Sequence, residues 1–225
     1  MMIPFEAPTL VVFTRAPILG TVKTRLAESI GAATALAVHR SCLARAVALA
    51  SADPQWVGCL AVAPDTAAPG PDGEPPSWAG GLPSFPQGDG DLGERMMRML
   101  TRASGSAPVV LMGSDIPGAA PKHIARAFAA LRDDRLVFGP SEDGGFWLVG
   151  AAVPPPPDLF ADVRWSTAHA LSDVTARLPQ DGWRTVDTLW DVDEPADYAR
   201  YLAMAAPDTT IGDLKPPPEP SAATD

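Results

Sequence analysis

Cysteine and histidine are scarce, with two of the first and three of the second in 225 residues. Cys42 and Cys59 fall on an expected helix and an expected strand, so both read as small buried apolar residues, not as a disulfide framework. His39, His123 and His169 share no ligand spacing, which argues against a histidine- or cysteine-held metal. Basic residues are also in the minority: 17 Lys and Arg face 27 Asp and Glu, for a net charge of −10. That balance argues against a nucleic-acid backbone or an anionic membrane as partner. No apolar run is long enough to cross a bilayer, because the alanine-rich segment from Gly31 is broken by His39, Arg40 and Arg45. The first residues, MMIPFEAP, lack a basic and then apolar leader, so the expected compartment is the cytoplasm. Ser114 and Ser141 lack the strand–turn–helix context of a hydrolase nucleophile. There are no internal repeats.

What is present is a large apolar fraction, 46%, enough for a substantial core in one domain, expected over residues 1–206. Prolines, 26 in all, cluster in loops and in residues 207–225, which read as a disordered tail. Short apolar runs predict buried strands at 9–13, 56–63, 84–87, 108–113, 136–139, 146–150 and 184–189. Helical periodicity predicts helices at 31–50, 91–103, 121–132, 166–178 and 194–205. Leu36, His39, Leu43 and Val47 share the buried face of the first helix. Asp89 or Asp91 caps the second, and Pro121 opens the third. Strands alternating with helices predict an α/β fold with a mostly parallel sheet. Residues 64–83 form a long loop without periodicity, read as a functional rim.

The chain is organised around VVFTRAPILGTVKTRL, residues 11–26. A buried strand runs into a Pro/Gly loop through Gly20 that closes on Lys23-Thr24-Arg25, a common way for α/β proteins to meet phosphate. It is neither a P-loop nor the glycine-rich dinucleotide fingerprint. Three acidic stations follow. Asp115, in GSDIPG at a strand's carboxyl end, reads either as a ligand for Mg²⁺ or Mn²⁺ or as the start of a turn before Pro117. Asp143, in SEDGG between two apolar runs, reads as a hairpin turn or, with Gly144 and Gly145, as a close approach to ligand. In WDVDEPAD, Asp193 reads as a helix cap or, with Asp191, as part of a divalent-metal site. Trp165 reads as core packing or as the wall of an acceptor site. Met96, Met97 and Met99 read as core.

Together the segments FTRAPILGTVKTRL, DLGERM, GSDIPG, GPSEDGGFWLVG, VRWST and DVDEPADY resemble the selenodomain-associated transferase family. This is a domain family of unknown function within the nucleotide-diphospho-sugar transferase, or glycosyltransferase-A-like, superfamily. The KTRL element also resembles the Lys-Ser-Arg-Leu stretch of the phospholactate guanylyltransferases. The resemblance implies a three-layer, Rossmann-like glycosyltransferase-A-type α/β fold with a mixed, mostly parallel sheet. It further implies nucleotide contacts from Thr14, Arg15, Gly20, Lys23, Arg25 and Ser114, and catalytic roles for Lys23, Arg25, Asp115 and Asp143. Metal ligands would be Asp115, Asp191 and Asp193, and the acceptor would meet Asp143, Gly144, Gly145 and Trp165. GSDIPG departs from the Asp-x-Asp of many glycosyltransferases in having one acid, so the distant DVDEP carboxylates become necessary.

The expected function is therefore a Mg²⁺- or Mn²⁺-dependent transferase using a nucleoside triphosphate or nucleotide sugar, with nucleotidyl or glycosyl transfer to a small acceptor. A nucleotide-binding regulatory protein without turnover is the alternative. A metal-dependent phosphatase would show denser acids or histidines at its strand ends.

Overall fold

The computed structural model describes residues 5–69, 73–103, 107–179 and 181–205; the expected proline-rich tail lies outside them. Among the described residues seven strands form one sheet: β1 (Thr9–Arg15), β2 (Val57–Ala63), β3 (Ser84–Pro86), β4 (Val109–Gly113), β5 (Leu136–Pro140), β6 (Phe146–Ala151) and β7 (Trp183–Thr185). Their order is β3-β2-β1-β4-β6-β5-β7. β6 alone runs against its neighbours, pairing antiparallel with β4 and β5, while the other pairings are parallel. This is the α/β sheet that alternating strands and helices predict, mixed and mostly parallel as the family resemblance implies.

Among the described residues six α-helices accompany it: α1 (Thr24–Ile30), α2 (Ala32–Ala50), α3 (Leu92–Leu100), α4 (Pro121–Ala130), α5 (Ala170–Thr175) and α6 (Pro195–Ala205). Leu10, Val12, Leu60, Val110 and Met112 point to one sheet face and pack under α2 and α4. Val11, Ala61, Val109, Leu111 and Phe138 point to the other and pack under α3 and α5. Both faces are covered, which is why the central strands read as continuous apolar runs and not as alternation. A third cluster, Leu26, Val38, Cys42, Trp190, Val192 and Tyr201, ties α1, α2 and α6 to the segment that carries Asp191 and Asp193. Cys42 and Cys59 are buried free thiols, and burial pushes them up to about 11 and about 12. Among the described residues no helix is long and apolar enough to cross a membrane.

Three boundaries differ from expectation. The basic loop does not lead straight into the long helix: Thr24–Ile30 forms α1, and Gly31, at φ 80°, turns the chain into α2. A positive φ there is open to glycine at no steric cost, so the helix expected over 31–50 starts at this turn, and α1, where no helix was expected, ends at it. The helix expected from residue 166 begins only at Ala170, because Ser166 adopts φ 58°. The last strand ends at Thr185, after which only Leu189 bridges to Ser141.

Candidate active site

β1 and β4 are neighbours and parallel, so their carboxyl ends open on the same edge of the sheet, where open α/β sheets bind ligands. β1 delivers Thr14 and Arg15 there, and β4 ends in Gly113, followed by Ser114 and Asp115. Gly113 leaves room for the acid, since a Cβ at this position would stand 2.9 Å from Asp115 Oδ1.

Asp191 and Asp193 arrive by a rail of backbone bonds. Leu189 N–H donates to Pro140 O at 3.1 Å and Glu142 N–H to Leu189 O at 3.0 Å. Val192 N–H then donates to Asp115 O at 3.3 Å, and Ser141 Oγ donates to Asp191 Oδ1 at 3.4 Å. Val192 is fully buried between the two acids, so they point away from the core on the side of Asp115. One oxygen from each of Asp115, Asp191 and Asp193 lies within 4.8 Å of the others. An octahedral Mg²⁺ with oxygen ligands at about 2.1 Å spans about 4.2 Å from ligand to opposite ligand, so the group is near metal-binding size. Asp193 does not cap α6; Asp197 Oδ2 accepts instead from the N–H groups of Asp193 and Glu194, at 3.2 and 2.8 Å.

Lys23 fills the space between two of these acids. Its Nζ donates to Asp115 Oδ2 at 2.5 Å and to Asp193 Oδ1 at 2.7 Å, and its side chain is only 5% exposed. The residue is held at φ 49°, an uncommon conformation for a side chain of this size and one that clusters at functional sites. Burial works against the ammonium, but the carboxylates of Asp115 and Asp193 outweigh it and hold Lys23 above the usual lysine range. Burial likewise pushes Asp115 up, and the adjacent Lys23 ammonium more than reverses this, leaving it below the ordinary carboxylate range. Asp191 has no such partner. Burial, and then the charges of Asp115, Asp193 and Asp143, raise it to about 6.

Two chambers meet at this cluster. The first, of about 390 Å³, is polar: Thr14, Arg15, Lys23, Arg25, Ser114 and Arg95 line it. Its floor is fixed by His39, whose Nε2 lies 3.0 Å from Arg15 O and so carries the proton. The second, of about 350 Å³, has Asp143, Gly145 and the aromatic rings of Phe146 and Trp165 on its walls. Arg25, Asp115 and Asp193 border both. Asp143 Oδ1 accepts from Gly145 N–H at 2.9 Å, so it makes the turn and still faces the chamber. Gly144 does not line either chamber. At φ 88° it lies against the 167–170 segment, and a Cβ would come within 2.4 Å of Ala168 O. Gly20 also lines neither chamber and sits in an exposed turn.

Reading the sequence assigned no role to Gln87 and Arg95. Gln87 is buried, and its Nε2 donates to Thr14 O and Ala61 O, both at 2.9 Å. Its Oε1 accepts from Arg95 Nη1 at 2.9 Å, and Arg95 Nε donates to Asp91 O at 3.1 Å. The Arg95 guanidinium is thus oriented into the polar chamber by neutral oxygens, with no carboxylate partner among the described residues. The DLGERM segment held the signal, but an arginine on an amphipathic helix ordinarily reads as a solvated face.

Comparison with known proteins gives a family and a fold. A family of uncharacterized proteins conserved in bacteria, DUF2064, matches residues 38–167. The chain belongs to this family. Among solved structures, this DUF2064 chain is similar to a protein of Desulfovibrio desulfuricans G20 provisionally named a nucleotide-diphospho-sugar transferase. The TM-score is 0.72 and the identity 24%, over 90% of this chain and 89% of that one. It is also similar, with TM-score 0.51 and 21% identity, to a Mycobacterium sp. strain JC1 homologue of Mycobacterium tuberculosis Rv0371c, over 88% of this chain and 96% of that one. These likenesses establish a nucleotide-diphospho-sugar transferase-like fold. No curated protein matches the chain.

Proposed function

We propose that the protein is a divalent-cation-dependent transferase of the glycosyltransferase-A-like kind. It uses a nucleoside triphosphate or nucleotide sugar and passes a nucleotidyl or glycosyl group to a small acceptor. The observation that carries this reading is the Asp115–Asp191–Asp193 group with a buried ammonium already seated between two of its members. The donor set is all oxygen, the chemistry of Mg²⁺ or Mn²⁺, and Lys23 Nζ stands where a cation is attracted. Asp115, Asp191 and Asp193 would hold the ion, which when bound supplies positive charge beside the donor's phosphates.

The chain's own residues do the rest. Arg15, Arg25 and Arg95 offset phosphate charge in the polar chamber, in a protein whose net charge would otherwise repel it. The second chamber aligns the acceptor, and Asp143 accepts the proton of its attacking group as the leaving phosphate departs with the bonding electrons. The name carried by the Desulfovibrio protein and the resemblance to selenodomain-associated transferases and phospholactate guanylyltransferases agree with this reading.

The test is a panel of nucleoside triphosphates and nucleotide sugars with Mg²⁺ or Mn²⁺, scored by thermal shift and by product mass. Stabilisation is expected only with the cation. Pyrophosphate release identifies nucleotidyl transfer, and nucleoside diphosphate release identifies glycosyl transfer. Because Lys23 satisfies two of the acids without a metal, a non-catalytic nucleotide binder is the second reading. It would show equal stabilisation in chelator and no product.

A further inference from the structure

We propose that the second chamber takes an acceptor with an apolar, ring-sized body and an uncharged hydroxyl, seated against Trp165. This rests on the transferase reading of the cleft and names its acceptor class. Phe13, Leu92, Phe146 and Trp165 each remain only half-buried, and all four border the chamber. Apolar side chains left uncovered around a cavity of about 350 Å³ are the usual lining of a small-molecule site.

The wall is rigid. Phe146 stacks on Phe160 at 6.2 Å between centroids, and Trp165 meets these rings edge-on and tilted at 6.1 and 5.8 Å. Trp165 is pressed onto the start of α3 through Gly93, where a Cβ would stand 3.1 Å from Trp165 Cζ2 and 2.6 Å from Phe160 Cβ. The ring is therefore held in place before any ligand arrives, which lowers the ordering cost of binding.

Charge selects the head group. On the polar side Lys23 pairs with Asp115 and Asp193, and a divalent ion on Asp115, Asp191 and Asp193 would offset the remaining charge, so the acid left facing the acceptor is Asp143, while Arg15 and Arg95 border only the other chamber. A carboxylate or phosphate on the acceptor would meet like charge here, and a hydroxyl would meet hydrogen-bond acceptors.

The experiment compares 2-phenylethanol with phenyl phosphate by saturation-transfer NMR on the full chain with Mg²⁺, in the wild type, Trp165→Ala and Trp165→Leu. The leucine variant keeps apolar bulk against Gly93 should the alanine variant fold poorly. The ring protons of 2-phenylethanol should saturate, with apparent affinity falling about fivefold in the variants, the worth of one aromatic contact. Phenyl phosphate should show no Trp165-dependent signal. The proposal is overturned by an unchanged 2-phenylethanol signal in both variants, by no signal in the wild type, or by a Trp165-dependent phenyl phosphate signal. Nucleotide-induced thermal shifts, measured alongside, separate the two readings. If they are absent while Trp165-dependent binding persists, the transferase reading fails and the chamber stands. The reverse result removes the chamber alone.

Discussion

Lys23 and Asp191 occupy opposite electrostatic situations within one cluster. Lys23 has two carboxylate partners, and Asp191 has three carboxylates around it and no cation in contact. Removing Lys23 leaves Asp115 and Asp193 without their counterion. Breaking a fully buried pair costs about 3–5 kcal/mol, but Asp193 is 44% exposed, so Lys23→Met should cost about 2 kcal/mol in chelator. Chemical denaturation measures this, and added Mg²⁺ should restore most of the loss. Equal stability of variant and wild type would show that the ion pair contributes nothing. For Asp191 the folded value of about 6 lies above the ordinary 3.8. Between these values the folded state binds more protons than the unfolded, so this group makes stability fall as pH rises towards 6. Above 6 the full cost of the ionised carboxylate is present. Asp191→Asn should therefore melt higher than wild type in chelator at pH 7.5, with the gap narrowing as pH falls from 6 towards 3.8. Mg²⁺ reverses the order, since a ligand must be ionised to hold it. Wild type should gain stability on adding the cation, more at pH 7.5 than at pH 5, and the variant should gain little.

At the scale of elements, the strands were legible because burial on both faces leaves runs such as VVLMG with no polar interruption. The three acidic stations were legible as carboxylates placed where such runs stop. What periodicity could not show is a backbone angle. Lys23 at φ 49° and Ser166 at φ 58° reset two helix starts, and both side chains are types that helices tolerate. Nor could it show that Lys23 would pair with residues 92 and 170 positions away. A local pattern carries no record of which partner a folded cation meets. The paired glycines of SEDGG have a reason that only the fold supplies. Gly144 is fixed by its φ of 88° and by the backbone of Ala168 at 2.4 Å from any Cβ. Gly144→Ala should therefore push the 167–170 segment away from the turn that holds Asp143. The expected cost is about 1–3 kcal/mol, from strain and displaced backbone together. It should be accompanied by loss of the proposed transferase turnover beyond what the lower melting temperature explains, with the proposed nucleotide binding in the other chamber retained. Wild-type turnover in a destabilised Gly144→Ala protein would disconnect this turn from the chemistry.

The whole molecule sets the field in which the proposed nucleotide donor approaches. The cleft carries Arg15, Lys23, Arg25 and Arg95 against Asp115, Asp143, Asp191 and Asp193, so locally the charges nearly cancel. The net charge of −10 therefore resides on the rest of the surface and acts at long range on an anionic nucleotide. Such a field is felt over a Debye length of about 30 Å at 0.01 M salt but only about 8 Å at 0.15 M. Arginine contacts inside the chamber operate below either distance. The two contributions separate by salt and by measurement. Association of a fluorescent nucleotide, followed by stopped flow with Mg²⁺ present, should quicken by about two- to fivefold between 10 and 150 mM salt as repulsion is screened. Arg95→Gln removes a local contact held in place by Gln87, so it should raise the dissociation rate at every salt concentration and leave the salt dependence of association almost unchanged. An association rate that falls with added salt would mean that the arginines, and not the acidic surface, govern the approach. The charge balance of the cleft would then have to be redrawn with Asp191 protonated.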